Sequence, residues 1–255
     1  AVSHAGSATR DLRPGADMPH LWHWAAFPEF VPHAELGRDG HPALGGFLPD
    51  LGLPRRMWAG GRLAFRGRLR IGERLTRRSE ILSVAEKEGT AGRMAFVRVG
   101  HLVEGENGGR IEEEQDIVYL GIPDTFRPPK RVAPPEDPDF TETVPVSETR
   151  LFRFSAATFN AHRIHYDLPY AREVEKYPAL VVHGPMQAIM LMEAAERRTG
   201  QAARRFRFRG LHPMFHDSDL RLVGRTVEDG GAASLATVAA DGGHVGLEAR
   251  MEWDG

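Results

Sequence analysis

Between residues 160 and 184 the chain gathers Asn160, His162, Arg163, His165, Tyr166, Asp167, His183 and Gly184. An imidazole, with an ordinary pKa near 6.5, gives or takes a proton close to neutrality. A carboxamide such as that of Asn160 can hold a water by donating and accepting hydrogen bonds. Gly184 is followed by Pro185, which has no N–H, so the backbone donor at the start of a following helix is the Gly184 amide, at the positive end of that helix. Together these groups suit proton transfer beside a carbonyl whose oxygen takes up negative charge. Two histidines three residues apart followed by an acid, His162, His165 and Asp167, also fit a metal site. No third ligating cluster supports that reading, and our expectation is no metal. Asp167 has a competing role as the cap of a helix begun by Pro169. His162 is equally suited to bonding the loop backbone, and Tyr166 and Tyr177 to packing.

Several elements must position these groups. Met186, Ile189, Met190 and Ala194 recur at helical spacing, Arg197 and Arg198 suit a last turn and Gly200 a stop, so residues 186–198 read as a buried helix. A short strand is expected over residues 147–155. Beyond the helix, residues 205–211, 219–227, 232–240 and 244–253 alternate as strands joined by Gly-rich turns, and His244 sits in one such hairpin. The first half shows a similar meander from Arg62 to Leu120. Before it, residues 1–16 read as an irregular lead-in and Trp22, Trp24 and Phe27 as buried anchors in a short helical turn. Residues 31–61, rich in Gly and Pro, read as a long ordered loop. In that loop Arg55, Arg56 and Trp58 are candidate ligand contacts, with a packed Trp and solvated arginines as the alternative. Seven prolines between Gly121 and Val146 mark a stiff linker. We therefore expect an N-terminal domain over 1–130, a linker over 131–146 and a C-terminal domain over 147–255. A strand run wrapping one apolar helix, present twice, suggests a duplicated α+β unit.

Composition narrows the partners. A net charge of -2 gives no global field for nucleic acid or an anionic membrane, and the absence of cysteine removes thiolate and disulfide chemistry. No apolar run reaches the ~18 residues of a membrane span and no signal-peptide core is visible, so a cytoplasmic chain is expected. The clustered arginines, Arg163 and Arg209 among them, could pair with a phosphate or a carboxylate, or be solvated.

The string from Ser155 to Asp167, followed by Val-Val-His-Gly-Pro-Met, resembles the signature of the MaoC-like (R)-specific enoyl-thioester hydratases. Residues 41–63 resemble the FAS1-like dehydratase domain that precedes it in mesaconyl-C4-CoA (itaconyl-CoA-type) hydratases and mitochondrial-type 3-hydroxyacyl-thioester dehydratases. The resemblance implies a double hot-dog fold, two antiparallel sheets each wrapped around a helix, with the working site in the C-terminal half. It implies no separate cofactor, because CoA arrives as part of the substrate. On the matching positions the catalytic histidine is His165 and the oxyanion-site glycine is Gly184. Asn160 stands where most members have Asp, His162 where they have Asn, and Arg163 where they have Pro. The same departures mark the mesaconyl and mitochondrial-type subgroup.

The resemblance thus implies a hydro-lyase acting on an enoyl-CoA, with His165, Asn160 and Gly184 catalytic. His162, Arg163, Tyr166, His183, Arg55, Arg56, Trp58 and Arg209 are the candidate substrate contacts. The subgroup implies a short branched dicarboxylic acyl group. Other readings are a 3-hydroxyacyl-ACP dehydratase of fatty-acid synthesis, a non-catalytic acyl-thioester-binding subunit and a hot-dog thioesterase. Open sheet edges in each half would be resolved by pairing the halves as an intramolecular pseudo-dimer, with a homodimer a further possibility.

Overall fold

The computed structural model describes residues 11–89, 92–227 and 230–254. Four strands come from the first half: β1 (Arg55–Arg66), β2 (Leu75–Gly89), β3 (Gly92–Gly105) and β4 (Arg110–Leu120). The second half adds β5 (Phe140–Val144), β6 (Arg205–Gly210), β7 (Leu220–Thr226), β8 (Ala232–Ala239) and β9 (Val245–Glu252). These form one nine-stranded sheet in the order β2-β3-β4-β1-β6-β9-β8-β7-β5, antiparallel throughout. The halves join where β1 meets β6, with Leu63 opposite Phe206. That junction pairs an edge that each half alone would leave open.

Helix α3 (Gly184–Thr199) lies against the inner face of the second half. Pro185 occupies its first turn, and Gly200 ends it with φ 68°, its N–H reaching the Glu196 carbonyl. Every residue from Met186 to Ala195 is buried, which is why the segment reads as apolar on all sides. Met186, Met190, Leu191, Leu222, Leu247 and Met251 share its core, and each fully buried side chain of this kind contributes about 1.5–3 kcal/mol. The two buried polar residues on α3 have partners: Gln187 accepts from the Thr237 hydroxyl at 2.7 Å, and Glu193 accepts from the Trp22 indole at 3.2 Å.

The α+β double hot-dog reading stands, with one correction. The second half wraps its sheet around α3, but the first half has no α-helix among its described residues. Its inner face is covered instead by the irregular segment 42–53, whose Leu44, Leu48, Leu51 and Leu53 pack on Ala95, Val97, Val99 and Tyr119. Pro42 and Pro49, with Gly45 at φ 93° and Gly52 at φ 66°, keep that segment from coiling into a helix.

Three further expectations change. Residues 147–155 are not a strand but most of helix α1 (Glu148–Thr158), whose Ser147 cap accepts from Arg150 N–H at 3.3 Å and which buries Leu151 and Phe154. The segment 131–146 is not only a linker, since β5 lies within it; Pro138 and Pro145 flank that edge strand rather than interrupt it. The loop expected over 31–61 ends early, because β1 begins at Arg55. The aromatic anchor behaves as expected: Trp22–Ala25 forms a 3-10 turn, and Trp24 and His23 both bond the buried Glu113 carboxylate at 2.9 Å. Of the lead-in, residues 1–10 lie outside the described residues, while Gly15 and Met18 N–H groups bond the β1–β2 connection. Among the described residues no helix is long and apolar enough to cross a membrane.

Candidate active site

The 148–184 segment reaches the site through three local devices. Helix α1 stops at Phe159, which takes the left-handed conformation (φ 53°), and the Asn160 N–H closes back on the Ser155 carbonyl at 2.8 Å. Asn160 Oδ1 then accepts from the His162 N–H at 3.0 Å, a turn that leads into a 3-10 turn over Arg163–His165. Asp167 caps the short helix α2 (Leu168–Glu173), accepting from Tyr170 N–H, as its position before Pro169 implied.

His165 is held from two sides. Its Nδ1 lies 2.7 Å from the Val181 carbonyl, which can only accept, so Nδ1 carries the hydrogen and Nε2 keeps a free lone pair. Its ring stacks on that of His183, with centroids 3.6 Å apart and planes at 20°. Burial lowers its pKa to about 4, against the opposing pull of the Val181 bond, so the imidazole is a neutral base at physiological pH. His162 and His183 are likewise depressed well below the ordinary value, in both cases chiefly by burial.

Gly184 follows His183 directly and is the first residue of α3, where the opening N–H groups have no acceptor within the helix. A methyl group built on it would meet nothing nearer than the Trp58 carbonyl at 3.9 Å, so there is room for a ligand beside this backbone. Trp58 also walls a groove of about 550 Å³ between the inner face of β1–β4 and the segment 41–48. Its polar lining includes His41, Arg56, Arg77, Ser79, His101 and Gln115. A larger depression of about 730 Å³ lies over the sheet around Arg62, Glu114, Arg205 and Arg250; neither lining includes a residue of the 155–184 stretch. The smaller one adjoins that stretch through its wall: the Trp58 carbonyl lies beside Gly184 and the His41 ring beside that of His162.

The remaining expected contacts divide. Arg56 lines the groove while bonding the Pro42 carbonyl at 2.5 Å and standing 3.8 Å from Asp39. Arg55 is not in a loop and does not face the groove: it is buried in an ion pair with Glu175 at 2.8 Å, over the Tyr177 ring. Arg163 is occupied by Asp167 and by the Arg38 carbonyl, and Tyr166 bonds the Ala161 carbonyl with its ring exposed. His183 has no exposed surface and bonds Ser155 Oγ at 2.9 Å, so it supports His165 rather than touching a ligand. Arg209 is exposed on β6, whose Phe206 and Phe208 take the core face, and is not among the residues that line the groove. Asp39, His41 and Arg77 were not singled out by sequence reasoning. For Asp39 and His41 the local signal is the glycine between them, Gly40, whose φ of 90° and tight approach to Ala161 mark a backbone-on-backbone contact.

The sequence profile of the hydroxyacyl-thioester dehydratase type 2 family matches residues 21–216. This chain belongs to that family. Among curated relatives it is 44% identical, over all of its own length and 92% of the other's, to the mesaconyl-C(4)-CoA hydratase of Chloroflexus aurantiacus. It is 28% identical to the mitochondrial hydroxyacyl-thioester dehydratase type 2 of Schizosaccharomyces pombe, over 83% of this chain and 77% of that one. Among solved structures, a MaoC-like dehydratase superposes with a TM-score of 0.70 at 14% identity, covering 94% of this chain and 85% of the other, a likeness of fold. In this member of the dehydratase family the profile ends at His216, beyond α3, so it includes every residue described around His165.

Proposed function

We propose that this protein is a hydro-lyase that adds water to an enoyl-CoA, with residues 147–255 supplying the catalytic groups and the first half the acyl groove. The observation that carries the chemistry is the fixed tautomer of His165, which presents a neutral base at Nε2. Adding water to a conjugated thioester requires a base for the water, a donor for the carbonyl oxygen and a proton for the α-carbon. His165 takes the first role and the Gly184 N–H the second. Asn160, its oxygen engaged by His162 N–H, has its NH₂ left to orient the water.

The substrate class follows from the groove and the full-length likeness to a mesaconyl-C(4)-CoA hydratase. The lining offers the cations Arg56 and Arg77 beside an apolar wall that includes Leu48, Val99 and Ile117, which suits a short acyl group ending in a carboxylate. Arg77, held only by Glu29 at 3.7 Å and the Phe27 ring at 4.9 Å, is the cation most available to it. A second reading, dehydration of longer 3-hydroxyacyl thioesters, is favoured by the groove beside β1–β4, where the described residues of the first half include no α-helix. In both readings CoA or another thiol carrier belongs to the substrate and no separate cofactor is used.

The test is turnover by purified protein of mesaconyl-C4-CoA, crotonyl-CoA and a long 2-enoyl-CoA, followed by loss of the enoyl-thioester absorbance. Preference for mesaconyl-C4-CoA is expected. Hydration of crotonyl-CoA without any loss of mesaconyl-C4-CoA removes the dicarboxylic assignment, and release of free thiol removes the hydro-lyase.

A further inference from the structure

Hydration needs two proton movements, and the residues around His165 supply one. His165 begins as a neutral base, Asn160 is an amide, and His183 is sealed from the groove. A second proton-carrying group beside it would let the two movements be divided between two residues. The segment 37–43 of the first half brings one. Asp39 Oδ2 lies 2.9 Å from His41 Nδ1, and a carboxylate only accepts, so Nδ1–H donates and Nε2 is left as the exchangeable nitrogen. A second bond from His41 N–H to Asp39 Oδ1 at 3.1 Å fixes the pair. Burial alone would raise the Asp39 carboxyl, but the His41 bond and charge, with Arg56, hold it below its ordinary value. Asp39 is thus an anion placed to stabilise a protonated His41.

The pair is docked rigidly on the catalytic loop. Arg163 N–H bonds the Asp39 carbonyl at 2.9 Å and its guanidinium bonds the Arg38 carbonyl at 3.2 Å. Any side chain at Gly40 would collide with the Ala161 carbonyl, a Cβ coming within 2.0 Å of it. The His41 ring stands 4.3 Å from that of His162, which stands 5.4 Å from that of His165. His41 is also the one of these three that opens to the groove, its side chain 26% exposed. Asp39, His41 and His162 each offer a ligating atom within 4.8 Å of the others, but the Arg56 guanidinium already stands 3.8 Å from the same Asp39 oxygen that bonds His41. A fixed positive charge there suits a proton-carrying pair better than a bound cation.

We propose that His41, held by Asp39, is the second proton-transfer residue of the site, contributed by the first half of the chain. The inference rests on the hydro-lyase reading above. As water adds, its oxygen bonds to the β-carbon and His165 Nε2 takes its proton. The C=C electron pair moves onto the thioester oxygen, which the Gly184 N–H receives. Protonated His41 gives its Nε2 proton to the α-carbon, and the proton on His165 returns to His41 by way of His162, whose ring stands between the two. One water is consumed, one OH and one H are added, and both imidazoles end as they began. Charged and titratable groups facing His41 are Asp39 on its own segment, Arg56 on β1, His162 and His165 on the catalytic loop, and Glu175 beyond α2.

The experiment compares His41→Gln, His41→Ala and Asp39→Asn with wild type in hydration of mesaconyl-C4-CoA and crotonyl-CoA. Wild type must first hydrate at least one of these; if it hydrates neither, the hydro-lyase reading has failed and this inference with it. Given an active wild type, His41→Gln is expected to melt as wild type does and to lose about a hundredfold or more in kcat, with KM changed little. Added imidazole should restore part of the His41→Ala rate. Asp39→Asn should lower kcat by less than His41→Gln does, because it removes the carboxylate that fixes the His41 ring and its tautomer. A kcat for either His41 variant within threefold of wild type, a loss confined to KM, or no rescue of His41→Ala by imidazole overturns the assignment.

Discussion

The imidazole of His183 lies flat against that of His165, ring on ring at 3.6 Å, on the side away from the solvent. With Nδ1 tied to the Val181 carbonyl, the His165 ring is left with one orientation. The wedge comes from the residue that caps α3, so the base and the Gly184 amide are positioned by the same turn of chain. This is the second-layer support that a catalytic ring needs if it is not to swing.

Removing the wedge should loosen the base. His183→Ala opens a cavity behind His165 and leaves Ser155 Oγ unpartnered. We expect a stability loss of about 2–4 kcal/mol by denaturant unfolding and a fall in kcat larger than the change in KM. An unchanged kcat would mean that Val181 alone fixes the ring.

His165→Ala should abolish most of the hydration rate, about a hundredfold to ten-thousandfold in kcat, with the fold intact by circular dichroism. In the wild type, protonating His165 removes the base. Because its pKa is about 4 rather than the ordinary 6.5, the acid limb of kcat/KM should fall nearer 4 than 6.5. A limb centred at 6.5 would show that the ring titrates as an exposed histidine does.

Stability should follow pH in a defined direction. His162, His165 and His183 all have depressed pKa values in the fold, whereas unfolded histidines titrate near 6.5. Above that value neither state binds these protons and the three groups contribute no pH dependence. As pH falls below 6.5 the unfolded chain takes up protons that the fold refuses, so stability is lost progressively toward pH 4. Melting curves between pH 7.5 and 5 should show the midpoint falling, and less steeply in His162→Gln.

Arg55 and Arg77 should separate structure from specificity. Arg55→Ala strands the buried Glu175, at a cost of about 3–5 kcal/mol in unfolding free energy. Arg77→Ala touches only an exposed strand. It should raise KM for mesaconyl-C4-CoA about tenfold or more and leave crotonyl-CoA, which has no distal carboxylate, almost unaffected. Equal effects on both substrates would take Arg77 out of the carboxylate site.

Much of this protein is written in short stretches of its sequence. Pro185, the apolar run behind it and Gly200 determine α3, because caps and terminators act within a turn or two of where they sit. Alternating residues determine β6–β9, and Asp167 before Pro169 determines the cap of α2. Even α1, expected as a strand, carried its signal in Ser147 and in Leu151 and Phe154 three apart; the Phe-Arg-Phe alternation read as a strand hid it. The string around His165 carried the resemblance that led to the family.

Tertiary structure alone decided which of many arginines are structural and which face the groove. Arg55 and Arg56 are neighbours in sequence, yet on a strand they point to opposite sides, one to Glu175 and the other to the groove. It also decided that the first half keeps its groove open, and that Asp39 and His41 meet His162 across more than a hundred residues of chain. No spacing rule reaches that far. Such a contact exists only once β1 has paired with β6 and the Gly40 backbone has closed against Ala161.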